Sequence, residues 1–241
     1  MNNVKDDKEM LVWDYKGLKV FYYLDLDGDG TNQAPSFVTF IKSYFPKNKV
    51  YEKVFEWCAG PGFIGFALLK EGICKKLCLA DINPLAIECV KRTIIENNLQ
   101  DYVSYYVSNN FESIPQYEKF DLVVSNPPNY YHLNPEHYDY DWLKDDLRPN
   151  DPGWEIHKSF YNSVKNYLLV DAYLLIQEVE PFADKVYIPA TGNVAFDIRP
   201  EAPHKEFVEM INTGGLKFID TKYFHMDEQE KIKMWMMISK N

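Results

Sequence analysis

Apolar positions along the chain fall into short blocks of two different periods. Leu18 to Leu26 is aromatic and β-branched and predicts a strand or edge hairpin. Ser36 to Phe45 places apolar residues at 37, 38, 40, 41, 44 and 45, a helical face closed by Pro46. Val50 to Trp57 predicts a strand, Phe63 to Glu71 a helix, and Lys76 to Ala80 a buried strand ending at Asp81. Pro84 to Asn97 predicts a helix with a Glu88/Arg92 pair at i,i+4; Val103–Val107 and Phe120–Ser125 predict two more strands. Asn129 to Gly153 shows no period. Beyond it, His157–Leu169 reads as a helix and Ala172–Glu178 as a strand. Lys205–Thr213 reads as a helix stopped by Gly214-Gly215, and Lys217–Phe224 and Lys231–Ser239 as two last strands. Strands alternating with helices predict an α/β, doubly wound, mostly parallel sheet. Without an internal repeat or linker, residues 36–241 are expected to form one domain. Residues 1–35 are then an N-terminal extension of strand and turn packed on it, polar and frayed over residues 1–12.

Composition adds exclusions. With 241 residues, 46% apolar and 26% charged, the chain has the balance of a globular protein, not of a disordered or fibrous one. The 26 basic and 36 acidic residues give a net charge of −10, which disfavours nucleic acid and anionic membranes as partners. No apolar stretch reads as a signal peptide or membrane span, so a cytoplasmic protein is expected. Cys58, Cys74, Cys78 and Cys89 form no C-x-x-C pair, and His132, His137 and His157 lack ligand spacing, so no metal site is expected. Asp25 to Gly30 reads DLDGDG, the opening of a calcium loop, but Ser36 stands at the twelfth position in place of Glu; a tight acidic turn is the preferred reading.

The chemistry is expected where three successive strands end. In such a sheet ligands lie beyond the strands' carboxyl ends. The first end is Glu56-Trp57-Cys58-Ala59-Gly60-Pro61-Gly62, where glycines let a ligand approach the backbone at a helix N-terminus. The second is Asp81, 19 residues beyond Gly62, a carboxylate placed to accept hydrogen bonds from a ribose diol or, alternatively, to cap the next helix. These two features fit either a nicotinamide dinucleotide or S-adenosylmethionine. The third is Asn126-Pro127-Pro128-Asn129.

That third motif resembles the NPP[YF] signature of class I S-adenosylmethionine-dependent methyltransferases, with Glu56–Gly62 and Ala80–Pro84 similar to two further motifs of the family. The resemblance runs over roughly residues 35–178 and is nearest to HemK-type protein glutamine methyltransferases and amino-adenine methyltransferases. It implies a seven-stranded Rossmann-like methyltransferase sheet with a C-terminal antiparallel hairpin. It also implies S-adenosyl-L-methionine as cofactor, bound by Glu56, Ala59, Gly60, Gly62, Asp81, Ile82, Asn109 and Asn126. Catalysis would rest on Asn126, Pro127 and Pro128: the Asn126 side-chain oxygen and the Pro127 carbonyl accept the two N–H bonds of a planar nitrogen and free its lone pair, and the prolines fix φ. The expected enzyme is an N-methyltransferase acting on a protein side chain or a small molecule. The alternatives are an amino-adenine methyltransferase on RNA or DNA and a non-catalytic cofactor-binding scaffold. Three positions depart from the pattern: Cys58 replaces a glycine, Asn109 an aspartate, and Asn129 the aromatic that closes the signature. Tyr130 or Tyr131 would then take over contact with the acceptor. The aromatic and acidic segment that follows suits an amine-bearing substrate.

Overall fold

The computed structural model describes residues 9–128, 132–133, 151–179, 185–188, 193–197, 203–227 and 232–241. Its centre is a seven-stranded sheet in the order β11-β12-β8-β6-β3-β4-β5. These strands are β3 (Tyr51–Trp57), β4 (Cys74–Asp81), β5 (Val103–Val107), β6 (Phe120–Ser125), β8 (Leu168–Val179), β11 (Lys217–Asp227) and β12 (Ile232–Lys240). Five run parallel; β11 and β12 form an antiparallel hairpin at one side, with β12 antiparallel to β8. This is the doubly wound architecture expected, and no helix among the described residues is long and apolar enough to cross a membrane.

Helices cover both faces. On one lie α1 (Gly30–Tyr44), α2 (Phe63–Lys70) and α3 (Pro84–Glu96), burying Phe37, Phe66, Leu68 and Val90 against Leu77, Leu79, Leu122 and Leu175. On the other lie α4 (Glu155–Val164) and α5 (Pro203–Thr213), burying Phe160, Tyr161 and Phe207 against Phe55, Val123, Leu174 and Ile176. The alternation of Leu122, Val123 and Val124 between the two clusters is the period-2 consequence of a strand covered on both sides.

An N-terminal hairpin, β1 (Leu11–Tyr15) and β2 (Leu18–Tyr22), packs Val20 into the first cluster, so Leu11 and Val12, expected to fray, belong to a strand. The acidic turn after it is a helix start. Asp27 accepts from the Thr31 N–H (3.2 Å) and hydroxyl (3.3 Å), and Asp29 from the Asn32 (2.7 Å) and Gln33 (3.3 Å) amides. Helix α1 starts at Gly30, six residues before the expected Ser36, and runs through Pro35. The Glu88/Arg92 pair is replaced by Arg92–Glu96 at 3.4 Å, with the Arg92 guanidinium over the Phe21 ring. A small sheet of β7 (His132–Leu133), β9 (Lys185–Ile188) and β10 (Asn193–Asp197), in the order β7-β10-β9, was not expected.

Candidate active site

Strands β4, β3 and β6 end side by side. Trp57 lies in register with Ala80 of β4 and Ser125 of β6, so the residues after each strand emerge at one edge. The Ser125 hydroxyl donates to the Trp57 carbonyl at 2.5 Å and fastens two of these ends together.

After Trp57 the backbone turns through left-handed conformations, with φ of 51° at Cys58, 51° at Gly60 and 87° at Gly62. The glycines adopt them without strain, whereas Cys58 carries a cost of about 1–2 kcal/mol. A Cβ on Gly62 would stand 2.8 Å from Leu79 Cδ1 and 2.9 Å from Phe66 Cε2, so that glycine is required by core packing. At Gly60 only the Leu26 carbonyl comes as near as 4.0 Å, which leaves space over the loop.

Glu56 is buried and turned toward α2, where its Oε2 accepts the Gly65 N–H at 2.7 Å. Burial pushes its carboxyl up to about 8, against the pull of the Gly65 and Ile64 amides. It therefore holds the loop and the helix start together. Ala59 N donates to the Ala80 carbonyl at 2.9 Å, joining the loop to β4.

Asp81 bridges the first two strand ends: Oδ2 accepts from Gly60 N at 2.7 Å and Oδ1 from Asn83 N at 2.8 Å. The cap of α3 is Asn83, which accepts from Leu85 N at 2.9 Å, and not Asp81. Burial raises the Asp81 carboxyl, and the Asn83, Gly60 and Ile82 amides pull it back. Each carboxylate oxygen keeps a further acceptor position. Beside it Ile82 is 50% exposed, an apolar face fit to lie against a flat ring. Space at Gly60, a carboxylate with acceptor capacity and an exposed aliphatic face together suit an adenosine-bearing cofactor.

The turn after β5 joins this edge through Ser108 N, which donates to the Asp81 carbonyl at 2.9 Å. Asn109 is exposed and donates to Glu112 at 3.0 Å. Its neighbour Asn110 is buried, with φ of 48°, accepting from Trp57 Nε1 at 2.7 Å and donating to the Ile156 carbonyl at 3.2 Å. At the third strand end, Asn126 is half-buried and its Oδ1 accepts from Gln177 Nε2 at 3.0 Å; Pro127 and Pro128 are buried. Asn129, Tyr130 and Tyr131 lie outside the described residues.

Sequence reasoning missed a buried polar cluster behind this edge. Asp151, His157 and Glu178 are each no more than 1% exposed. Asp151 caps α4 through Ile156 N (2.8 Å) and His157 N (3.1 Å) and meets His157 Nδ1 at 2.5 Å. His157 Nε2 lies 3.2 Å from Glu178 Oε1, within ion-pair reach but off hydrogen-bond alignment. Burial would lower the imidazole; Glu178 and Asp151 outweigh it and hold His157 up at about 9. A signal was present: His157 shares the apolar stripe of Phe160, Tyr161 and Val164, so it had to be buried and partnered.

A family model described as the methyltransferase small domain matches residues 39–138. The ribosomal RNA small subunit methyltransferase C of Haemophilus influenzae is 38% identical over 81 residues, which are 34% of this chain and 23% of that protein. The release factor glutamine methyltransferase of Clostridium botulinum is 35% identical over 83 residues, 34% of this chain and 29% of that protein. The chain thus spans under a third of the length of these relatives. The structure of a 16S rRNA N2 G1207 methyltransferase of Thermus thermophilus, in complex with AdoMet and guanosine, superposes with a TM-score of 0.57 at 11% identity, covering 95% of this chain and 50% of that one. Two of these proteins are ribosomal RNA methyltransferases, and that overturns the expectation that nucleic acid is disfavoured as a partner. Net charge averages over a whole surface and does not describe the patch that meets a substrate. The chain is similar over residues 39–138 to the methyltransferase small domain and folds as a Rossmann-like methyltransferase sheet.

Proposed function

We propose that this chain is an S-adenosylmethionine-dependent methyltransferase whose acceptor is an exocyclic amine of a base in RNA. The observation that carries the reading is the convergence of Gly60, Asp81 and Asn126 at one sheet edge, the first two tied by a 2.7 Å hydrogen bond. S-adenosylmethionine, when bound, supplies a methyl group already activated by positive sulfur. The chain's own residues do the rest. Asp81 accepts the ribose hydroxyls, Ile82 covers the adenine ring, and the Ala59–Gly62 backbone admits the amino-acid end. Glu56 keeps that loop in shape from beneath. Asn126 Oδ1 and the Pro127 carbonyl accept the N–H bonds of the target nitrogen, hold its lone pair toward the methyl and stabilise positive charge as it develops. The RNA assignment is supported by the ribosomal RNA methyltransferase relatives.

Incubation of the protein with methyl-tritiated S-adenosylmethionine and total cellular RNA and protein tests the reading. Label released by ribonuclease is expected. Label released only by protease selects a protein side-chain amide instead, a second reading favoured by the glutamine methyltransferase relative.

A further inference from the structure

The turn after β5 displays one side chain between two that are locked. Ser108 and Asn110 are buried, and Asn109 between them is exposed. Ser108 N donates to the Asp81 carbonyl at 2.9 Å. Ser108 Oγ donates to the Asn110 carbonyl at 2.9 Å and accepts from Ser113 N at 3.0 Å. Asn110, at a φ of 48°, is pinned through its side chain to Trp57 and to the Ile156 carbonyl. Asn109 therefore has a fixed backbone, and it directly follows a residue bonded to the carbonyl that leads into Ile82. Its amide is turned one way as well. Asn109 Nδ2 donates to Glu112 Oε1 at 3.0 Å, and Glu112 N donates back to the Asn109 carbonyl at 3.1 Å. A carboxylate only accepts, so the NH2 end of the amide faces Glu112, and a reversed amide would set oxygen against oxygen. That leaves Asn109 Oδ1 outward, and among the described residues nothing donates to it.

We infer that Glu112 is a positioning residue that makes Asn109 an acceptor for the exocyclic amine of the cofactor's adenine. This rests on the methyltransferase reading above, in which Ile82 covers the adenine ring, and adds what tells that base from its deaminated counterpart. The amine of adenine donates to Asn109 Oδ1. A carbonyl in its place would meet lone pair with lone pair, and Asn109 could donate to it only by turning its own oxygen onto Glu112. Without Glu112 the amide turns at little cost and takes either base, because a primary amide donates at one end and accepts at the other. The carboxylate acts on the choice of cofactor without touching it.

The test needs no knowledge of the methyl acceptor. S-adenosylhomocysteine and S-inosylhomocysteine differ only in the exocyclic group and the ring nitrogen beside it. The ratio of their dissociation constants by calorimetry cancels the ribose and amino-acid contacts, and comparing variants cancels the ring nitrogen. The wild-type protein is expected to prefer the adenine compound by about tenfold or more. Glu112→Ala is expected to cut that preference about five- to tenfold, the scale of one exposed hydrogen bond. The change should come from tighter binding of S-inosylhomocysteine, with S-adenosylhomocysteine affinity kept within about threefold, a gain that damage to the turn would not produce. Adding Asn109→Asp to Glu112→Ala gives a side chain that accepts whichever way it turns, and is expected to restore the preference. A wild type without the preference, or a Glu112→Ala protein that keeps it, overturns the inference. So does a Glu112→Ala protein that loses it only through weaker S-adenosylhomocysteine binding, or a double variant that fails to regain it. Failure of the wild type to bind S-adenosylhomocysteine overturns the methyltransferase reading instead.

Discussion

Replacing Glu56 by glutamine is expected to make the protein more stable in alkali. The carboxyl is buried and titrates at about 8 against an ordinary 4.5, because burial disfavours its charge more than the Gly65 and Ile64 amides favour it. The folded state therefore holds a proton that the unfolded chain releases. Stability is full below pH 4.5 and falls as pH rises through 8. At about 1.4 kcal/mol per pH unit, the loss over that window is about 3–5 kcal/mol. Glutamine mimics the protonated acid: its oxygen still accepts from Gly65 N, and it has no proton to lose. Urea unfolding of both proteins from pH 5 to pH 9 checks this, and subtracting one curve from the other cancels every other titrating group. The two are expected to agree within about 1 kcal/mol at pH 5 and to diverge by about 3–5 kcal/mol at pH 9, the variant being the more stable. Parallel curves would refute the reasoning, since Glu56 would then be ionised in the folded protein throughout.

Asp81→Ala is expected to weaken S-adenosylhomocysteine binding by about 1.5–3 kcal/mol in calorimetry, the range for hydrogen bonds to a charged group, and unchanged affinity removes Asp81 from the cofactor site. At Cys58, whose φ is 51°, glycine is expected to give a protein about 1 kcal/mol more stable than alanine in urea unfolding; the opposite order contradicts the strain assigned there. His157 is raised from 6.5 to about 9, so its ion-pair contribution is full below pH 6.5 and fades as pH rises through 9. His157→Gln should lack that decline, about 3 kcal/mol in the wild type, and a variant that keeps it shows the imidazole is not charged.

Much of the central sheet was legible because its strands are short apolar runs bounded by polar or turn-forming residues. Val103–Val107 and Phe120–Ser125 came out residue for residue, and β3 and β4 within a residue or two, each followed within a few residues by Gly, Pro, Asp or Asn. Strand β8 was seen only from Ala172, because Asp171 has a φ of 64° and shifts the pairing between Phe120 and Leu122, breaking the alternation. The start of α1 was misplaced because its first turn, Gly30 to Gln33, is polar and tied to Asp27 and Asp29 by hydrogen bonds, which a search for apolar periodicity does not weigh. At the candidate site, Gly60, Asp81 and Asn126 could be singled out because each ends a strand or closely follows one. Gln177 and Glu178, near the end of β8, could not, since polar residues in a strand acquire their meaning only from what β6 and α4 place opposite them.

The most direct measurement is methyl transfer by Asn126→Ala compared with the wild type, in single turnover at saturating S-adenosylmethionine, with S-adenosylhomocysteine affinity measured alongside. The resemblance placed Asn126 among the cofactor-binding residues as well, but its proposed work is on the acceptor nitrogen and not on the adenosine. Its loss should leave cofactor affinity within a factor of a few and lower the transfer rate by about 10²–10³, the cost of one preorganised polar partner. Asn126→Asp, which keeps an acceptor oxygen, should be the faster of the two variants. A wild-type protein that binds no S-adenosylhomocysteine, or an Asn126→Ala variant that transfers methyl at the wild-type rate, would contradict the account.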